Sequence, residues 1–263
     1  MKSLYRALLP VAVLLLTVVI WQVLANADTS HARVIPPPSE VLEALIRTRE
    51  TLLTRHIPQT MTETLIGMAI ALALGVLIAA LLDFSPLLKR AVYPLLVISQ
   101  TIPIVALAPV LILIFGFGIE PKVVVVVLFC FFPIAVATID GLTATDPDLV
   151  ALLRAMGASR QQIWRKVRMP SALPSLFSGL RIAATYSVTG AIFGEYVTSQ
   201  YGLGQYLRSA FSSGNVAQAF VPIVLTSLLS IGLVALVALA ERLALPWFYT
   251  TAREAHWEEP GIY

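Results

Sequence analysis

The chain has 263 residues, of which 58% are hydrophobic and 13% are charged, and its net charge is +3. Soluble domains carry about 25% charged residues, so this composition excludes an ordinary soluble protein and indicates a polytopic α-helical membrane protein. Nucleic-acid binding is disfavoured, because the basic residues are not concentrated on a soluble domain and membrane topology explains them.

The first apolar run covers residues 7–25 and follows Lys2 and Arg6. A run of about 20 apolar residues crosses a bilayer as a helix, so we interpret this run as the first transmembrane helix. A cleaved signal peptide is the alternative, because Ala25-Asn26-Ala27 has the form of a cleavage site. The run is longer than the apolar region of about 7–15 residues in a signal peptide, which favours the uncleaved helix.

Residues 26–57 are more polar, and we expect them to form an external segment. Pro36-Pro37-Pro38 is a stiff, extended spacer, and Ser39 is a candidate helix cap. A helix from Glu40 to about Thr54 would carry its apolar residues on one side. Such a helix is expected to lie against the membrane or the helix bundle rather than to cross the bilayer.

Five further apolar runs are predicted to cross the bilayer and to form a core over residues 58–245. These runs cover residues 58–82, 91–115, 122–141, 172–196 and 219–245. The sequence therefore predicts an all-α membrane protein with six transmembrane helices in a single domain, followed by a tail at residues 246–263. The side that carries Lys89, Arg90 and the basic segment 146–170 is predicted to be cytoplasmic, which places both termini inside.

The basic segment, DPDLVALLRAMGASRQQIWRKVRMP at residues 146–170, separates the fourth and fifth predicted spans. Asp146 is a good helix cap, and Pro147 occupies the first helical position, where its missing N–H is not needed. Four apolar residues then recur with helical spacing on one face. They are Leu149, Leu152, Leu153 and Met156.

A second short helix is predicted after this one. Gly157 permits the left-handed turn that ends the first helix, Ser159 can cap the second, and Pro170 is expected to end it. The segment is therefore predicted to form an amphipathic helical hairpin, which we call the 146–170 hairpin. A basic, amphipathic hairpin that projects from a membrane protein indicates a docking surface, and the alternative for its basic residues is a solvated face that sets the membrane topology.

Sequence motifs for catalysis, cofactors and metals are absent. The chain contains no GxxxxGK[ST], HExxH, CxxC or GxSxG motif, so no catalytic, cofactor-binding or metal site is predicted. The single cysteine, Cys130, excludes an internal disulfide. Asp146 and Asp148 form a pair of acidic residues that helix capping explains better than catalysis.

The 146–170 hairpin resembles the cytoplasmic "EAA" loop of the membrane subunits of ABC importers, whose pattern is E-A-A-x3-G-x9-I-x-L-P. Gly157 lies thirteen residues before Pro170, and Val167 and Met169 stand at the two apolar positions. The E-A-A triplet is replaced by ALL at residues 151–153. A salt bridge from the missing glutamate is therefore not expected, whereas the docking role is.

Other stretches resemble the nitrate-, sulfonate- and taurine-type permeases within this family. They are VIPPPSEV at residues 34–41, QTIPIVALAP at 100–109, FGFG at 115–118, Lys122, FFP at 131–133, and Glu195 with GLG at 202–204. Their order and spacing match the family over residues 34–250. The resemblance extends over nearly the whole chain.

This resemblance implies a permease subunit in the bacterial inner membrane, surrounded by lipid, that is not itself an enzyme. It implies a second copy of this chain, two cytoplasmic ATPase subunits that bind ATP and Mg²⁺, and a periplasmic or lipid-anchored binding protein. The solute would be a sulfonate, taurine, nitrate or a pyrimidine precursor of thiamine. Arg154 and Arg160 would face the ATPase. The implied ATPase-coupling residues are Leu149, Leu152, Leu153, Arg154, Met156, Gly157, Ala158, Ser159 and Arg160.

Polar residues inside two predicted spans are candidates for the translocation pathway, although helix packing explains small hydroxyl residues equally well. They are Ser99, Gln100, Thr101 and Pro103 in the third span, and Thr185, Tyr186 and Thr189 in the fifth. Pro103 would also free a backbone carbonyl group. Glu195 is a candidate contact for the binding protein, or else pairs with an external arginine or lies in the interface.

Two other classes of function fit the sequence less well than a permease. A stand-alone secondary transporter or channel would be expected to carry more charged residues within its spans. An integral membrane transferase would need a cluster of catalytic polar residues near one interface. The chain has few charged residues in its spans, mostly near span ends, and these are Glu63, Asp140, Arg181, Glu195, Glu241 and Arg242.

Overall fold

The computed structural model describes residues 2–27 and 35–248, and this part of the chain forms eleven α-helices. Residues 249–263, most of the predicted tail, and Val34 of the first permease-like stretch lie outside the described residues. The helices are α1 (Lys2–Ala27), α2 (Pro38–Thr51), α3 (Ile57–Phe84), α4 (Pro86–Ser99), α5 (Ile104–Phe115), α6 (Glu120–Thr143), α7 (Pro147–Ala155), α8 (Arg160–Ile163), α9 (Met169–Thr198), α10 (Leu203–Ser212) and α11 (Val216–Ala244).

The core is formed where α6 packs between α3 and α9. Small residues allow the helices to approach closely, as is common in membrane proteins. A Cβ atom on Gly67 of α3 would lie 2.6 Å from the Val126 side chain, and one on Gly179 of α9 would lie 2.5 Å from the carbonyl oxygen of Pro133. The buried core residues of these helices include Ala71, Val126, Cys130, Ile134, Ala183 and Ala191.

The helices α1 and α2 lie at the periphery of this core. Trp21 of α1 packs against Phe220 of α11, with 6.1 Å between ring centroids, and α2 lies against α11. The Gln22 amide nitrogen donates to Ser39 Oγ, and the Ser39 N–H donates to Gln22 Oε1, both at 3.1 Å. Ser39 therefore lies inside the first turn of α2 and ties it to α1, whereas the sequence predicted that it caps the helix.

Five helical segments are long and apolar enough to cross a membrane. The third predicted span, residues 91–115, is not one of them, because it divides into α4 and α5. Pro103 explains the break, since it has no N–H to donate to Ser99 and disfavours helical geometry at the preceding residue. The Ser99 and Thr101 hydroxyl groups donate to backbone carbonyls three residues back, each at 2.7 Å. Six spans therefore stay a prediction, with α4 and α5 together in place of the third.

Two π-helical turns, Leu52–His56 and Trp164–Arg168, each precede an X-Pro pair. The Ile57 N–H bonds to Leu52 O and the Met169 N–H bonds to Trp164 O, five residues back in each case. In an α-helix, the following proline ring would clash with the carbonyl group four residues earlier, and the wider π turn makes room for it.

These π turns correct two boundaries predicted from the sequence. Pro170 does not end the second helix of the hairpin, because the chain stays helical from Arg160 into α9. Likewise, the predicted helix over Glu40 to Thr54 does not end before the second span, because Pro38–Phe84 is one helical run.

Candidate functional site

The 146–170 hairpin has the caps and the turn that its sequence predicts. The Asp146 carboxylate accepts a hydrogen bond from the Asp148 N–H at 2.8 Å. Ser159 and Gln162 form a capping box, in which each side chain bonds to the backbone of the other residue. Gly157 has a φ of 83°, the left-handed region that favours glycine. The turn between the two helices is therefore geometrically defined.

Most of the apolar stripe of the hairpin is exposed. The side chains of Leu149, Leu152 and Met156 are 41%, 58% and 74% exposed, whereas Val150 of the same helix is buried. Leu153 and Met156 line a groove of about 360 Å³ beside the Gly157 turn, together with residues of the second arm. Because apolar side chains lose favourable burial when they face water, this surface is suited to a partner.

The hairpin is attached to the end of α3 by two arginines. Arg168 forms an ion pair with Asp83, with 2.6 Å between Nη1 and Oδ1. Arg160 donates to the carbonyl oxygen of Phe84 and lies over its ring, 5.3 Å from the centroid. Arg154 and Arg160 are both exposed, so the expectation that they face an ATPase surface stays a prediction, and Arg160 is also bonded to α3.

At the opposite end of α3, polar side chains form a buried cluster that we call the Glu195 network. The Thr60 hydroxyl group donates to Glu195 Oε1 at 2.6 Å, and the Gly204 N–H donates to Glu195 Oε2 at 2.7 Å. The Leu203 N–H donates to the Thr60 hydroxyl oxygen at 2.9 Å. His56 Nδ1 contacts the backbone of Gly202. The network fastens the loop between α9 and α10 to the start of α3.

Glu195 is buried, whereas its predicted role requires contact with a partner outside the chain. Its side chain has no exposed surface, and both carboxylate oxygens are bonded within the chain. In this conformation the carboxylate cannot contact a separate binding protein or an external arginine. Hydrogen bonds of this kind stabilise a carboxyl group that is shielded from water, so Glu195 acts as a structural anchor.

A buried ion pair lies next to this network and was not predicted. Lys122 Nζ at the start of α6 lies 3.5 Å from Glu63 Oε1 of α3, and both side chains are less than a tenth exposed. The Gln59 amide donates to the same oxygen at 2.7 Å. From the sequence, Lys122 was expected to lie on the external side of the membrane. The only signal in the sequence was that Glu63 and Lys122 each lie in an apolar run, where a charged side chain needs a partner.

Lys122 also lines a cavity of about 440 Å³, which we call the Lys122 cavity. Its walls come from the start of α3, the α5–α6 loop, the start of α6 and the loop after α9. The lining residues are Gln59, Phe117, Lys122, Ser199, Gln200 and Tyr201. Ser199 is buried, and its hydroxyl oxygen has no hydrogen-bond partner within residues 2–27 and 35–248.

The predicted pathway residues lie on two elements. Ser99, Gln100, Thr101 and Pro103 lie at the break between α4 and α5, whereas Thr185, Tyr186 and Thr189 lie on α9. Helix α5 packs against α9, which connects these two elements. On α9, Thr185 and Tyr186 are exposed and Thr189 is half-buried. Their assignment to a translocation pathway stays a prediction.

Comparison with known proteins gives consistent similarities. The sequence profile of the family described as "binding-protein-dependent transport system inner membrane component" matches residues 57–246. The chain is 40% identical over 247 residues to the formylaminopyrimidine transport permease protein ThiX of Halalkalibacterium halodurans, covering 94% of this chain and 98% of the relative. It is 34% identical over 240 residues to the riboflavin transport system permease protein RibX of Chloroflexus aurantiacus, covering 91% and 89%.

A more distant relative and a solved structure agree with these two. The chain is 25% identical over 249 residues to the taurine transport system permease protein TauC of Escherichia coli, covering 91% of this chain and 89% of the relative. A chain of the MetNI methionine ABC transporter in inward-facing conformations is similar, with a TM-score of 0.60 and 26% identity. This similarity covers 74% of the present chain and 95% of the other.

Proposed function

This chain belongs to the family of binding-protein-dependent transport system inner membrane components and is the permease of an ABC importer, and we propose that the 146–170 hairpin couples ATPase motion to its spans. The permease would work as a dimer of this chain, with two cytoplasmic ATPase subunits and an external binding protein. Both termini and the hairpin would lie on the cytoplasmic side. ATP and Mg²⁺ would bind to the ATPase subunits.

The continuity of the hairpin with α9 is the observation that carries this proposal. The second arm passes through the Trp164–Arg168 turn into α9 without a break, giving one helical run over Arg160–Val197. A force applied to the hairpin would therefore move α9 as a rod. The same force would reach α3 through Arg160 and Arg168, since both are bonded to its last residues.

Alternating access follows from this arrangement. Helix α9 packs against α6, α3 and α5, so tilting it changes the spacing of the central helices. The break at residues 100–103 provides a position at which α4 and α5 can move separately. Closing of the ATPase dimer would then open the pathway towards the binding protein. Opening of the ATPase dimer would release the solute into the cytoplasm.

The solute class is inferred from the relatives. The relative that is 40% identical is named for formylaminopyrimidine, and others are named for riboflavin and taurine. We infer a small polar solute of this range, and a formylaminopyrimidine-like compound is the first to test. The binding protein would supply most of the selectivity, whereas the permease would supply the pathway.

The coupling proposal is tested by introducing a charge into the exposed apolar face. Leu152→Glu is expected to abolish co-purification of the ATPase and ATP-dependent uptake in proteoliposomes, because burial of a charged side chain in an apolar interface is strongly unfavourable. Gln161→Glu is the matched control, since it adds the same charge to an exposed polar position of the hairpin. Normal ATPase binding by Leu152→Glu would contradict the proposal.

A further inference from the structure

The Lys122 cavity combines features that indicate a ligand rather than a packing defect. Its volume of about 440 Å³ lies in the range of small-molecule sites, about 300–1,000 Å³. Ser199 lines it and is 4% exposed, and its hydroxyl group has no partner in the described part of the chain. Buried hydroxyl groups are normally hydrogen-bonded, so a bound solute would complete this one.

The charges around the cavity favour a neutral solute. The Lys122 ammonium group is compensated by Glu63 at 3.5 Å. Two nearby arginines do not line the cavity. Arg208 donates to the carbonyl oxygens of Val197 and Ser199, and the Arg55 guanidinium group lies over the ring of Tyr201, 5.7 Å from its centroid. The cavity therefore offers hydrogen-bond donors without a free cation for a sulfonate or nitrate.

The remaining wall favours a planar ring. Phe117 and Tyr201 line the cavity and are 77% and 46% exposed overall, and aromatic rings can stack on heterocycles. The amide groups of Gln59 and Gln200 each offer both a donor and an acceptor. These donors and acceptors match the edge of a ring that carries nitrogen atoms and an amide or amino group.

We propose that the Lys122 cavity is a solute-binding subsite for neutral, planar nitrogen heterocycles, such as aminopyrimidines. The ring would stack on Tyr201 and Phe117, and its polar edge would accept hydrogen bonds from Lys122 and Ser199. This proposal rests on the proposed function, because a subsite at this end of α3 would receive the solute as the binding protein releases it. It narrows the solute class from the wider range of the relatives.

The test measures equilibrium binding of radiolabelled formylaminopyrimidine to the assembled permease–ATPase complex in nanodiscs, with the binding protein omitted. Ser199→Ala is expected to weaken binding about two- to tenfold, the effect of losing one hydrogen bond, without unfolding the chain. Tyr201→Leu is expected to weaken binding through lost stacking. Ser212→Ala, at an exposed position of α10, is the control and is expected to bind normally. An excess of methanesulfonate is expected not to compete.

Several results would overturn the proposal. They are no measurable binding of formylaminopyrimidine, unchanged affinity in Ser199→Ala and Tyr201→Leu, or competition by methanesulfonate. A fall in affinity for the binding protein alone, with solute binding unaffected, would show that the cavity is a protein contact instead.

ATP-dependent uptake in proteoliposomes, measured with the binding protein present, separates this inference from the proposed function. Uptake without binding to the cavity would refute only the subsite. Binding without any ATP-dependent uptake would support the subsite and refute the proposed coupling.

Discussion

At the scale of single residues, the Glu195 network shows how a loop can be fixed by one buried carboxylate. Gly202 has a φ of 114°, and a Cβ atom at this position would lie 2.2 Å from the carboxyl carbon of Glu195. The loop therefore needs glycine for two separate reasons, its backbone conformation and the space next to it. Gly214 serves as a comparison, because it also has positive φ but has open space around it.

We predict that Gly202→Ala is much more destabilising than Gly214→Ala. Both glycines have positive φ, and an alanine there costs about 1–3 kcal/mol. Gly214 has open space around it, with a φ of 70°, so Gly214→Ala measures a backbone cost without overpacking. Gly202, at φ 114° and ψ 163°, lies in a region that is nearly exclusive to glycine, so its backbone cost is at the upper end of this range. Gly202→Ala adds overpacking of about 1–3 kcal/mol. Thermal unfolding of the purified chain in detergent checks this, and equal losses would contradict the steric account.

The ion pair of Glu63 and Lys122 provides a second prediction at this scale. Lys122→Met is expected to destabilise the chain by about 3–5 kcal/mol, because it leaves a buried carboxylate without its partner. Combining it with Glu63→Gln is expected to recover a large part of that loss. A double-mutant cycle by thermal unfolding measures the interaction. Additive losses would show that the two side chains do not stabilise each other.

At the scale of elements, the two prolines after π turns and the proline at the α4–α5 break act differently. Pro58 and Pro170 follow widened turns, so the helix continues past them. Pro103 follows residues whose hydrogen bonds have already tightened to three-residue spacing, with Thr101 N–H bonding to Ile98 O at 3.0 Å. There the helix ends. A widened turn before Pro58 and Pro170 thus accompanies a helix that continues, and a tightened turn before Pro103 accompanies a helix that ends.

We predict that Pro103→Ala favours one continuous helix through the break. The substitution removes a proline that is about 3 kcal/mol less favourable than alanine in a helix, and it restores an N–H for the Ser99 carbonyl group. Amide hydrogen exchange at residues 101–104 is expected to slow, and uptake is expected to fall because α4 and α5 can no longer move separately. Pro94→Ala is the control, since Pro94 already lies inside α4. Faster exchange or normal uptake in Pro103→Ala would argue against this role.

At the scale of the whole molecule, the two ends of the bundle have different chemistry. One end carries the 146–170 hairpin with its exposed apolar face, and the other carries the Glu195 network and the Lys122 cavity. An importer needs this asymmetry, because its motor and its solute approach from opposite sides. The distribution of basic residues predicts that the hairpin lies on the cytoplasmic side.

Membrane orientation is testable with single cysteines, because Cys130 is buried and gives little background. In intact cells, a membrane-impermeant maleimide is expected to label Ser212→Cys in α10 and to leave Gln161→Cys in the hairpin unlabelled. Permeabilised cells are expected to show labelling at both positions, which controls for reactivity. Labelling of Gln161→Cys in intact cells would reverse the proposed topology and remove the hairpin from the ATPase.

Residues close together in the chain were predicted well. The caps at Asp146 and Ser159 and the turn at Gly157 could be derived because each depends on neighbours within three residues. The membrane class could be derived because the length and apolar character of each run are local properties. The resemblance of the hairpin to the importer loop had the same local basis.

The sequence by itself therefore determined the all-helical membrane class, the importer family resemblance and the shape of the hairpin. Only the tertiary structure decided that Glu195 is an anchor, that Lys122 pairs with Glu63, and that the hairpin is bonded to α3. The partners of these side chains lie far away in the chain, 135 positions in the case of Thr60 and Glu195. A charged residue in an apolar run signals that it needs a partner, but helix packing alone determines which side chain comes within reach.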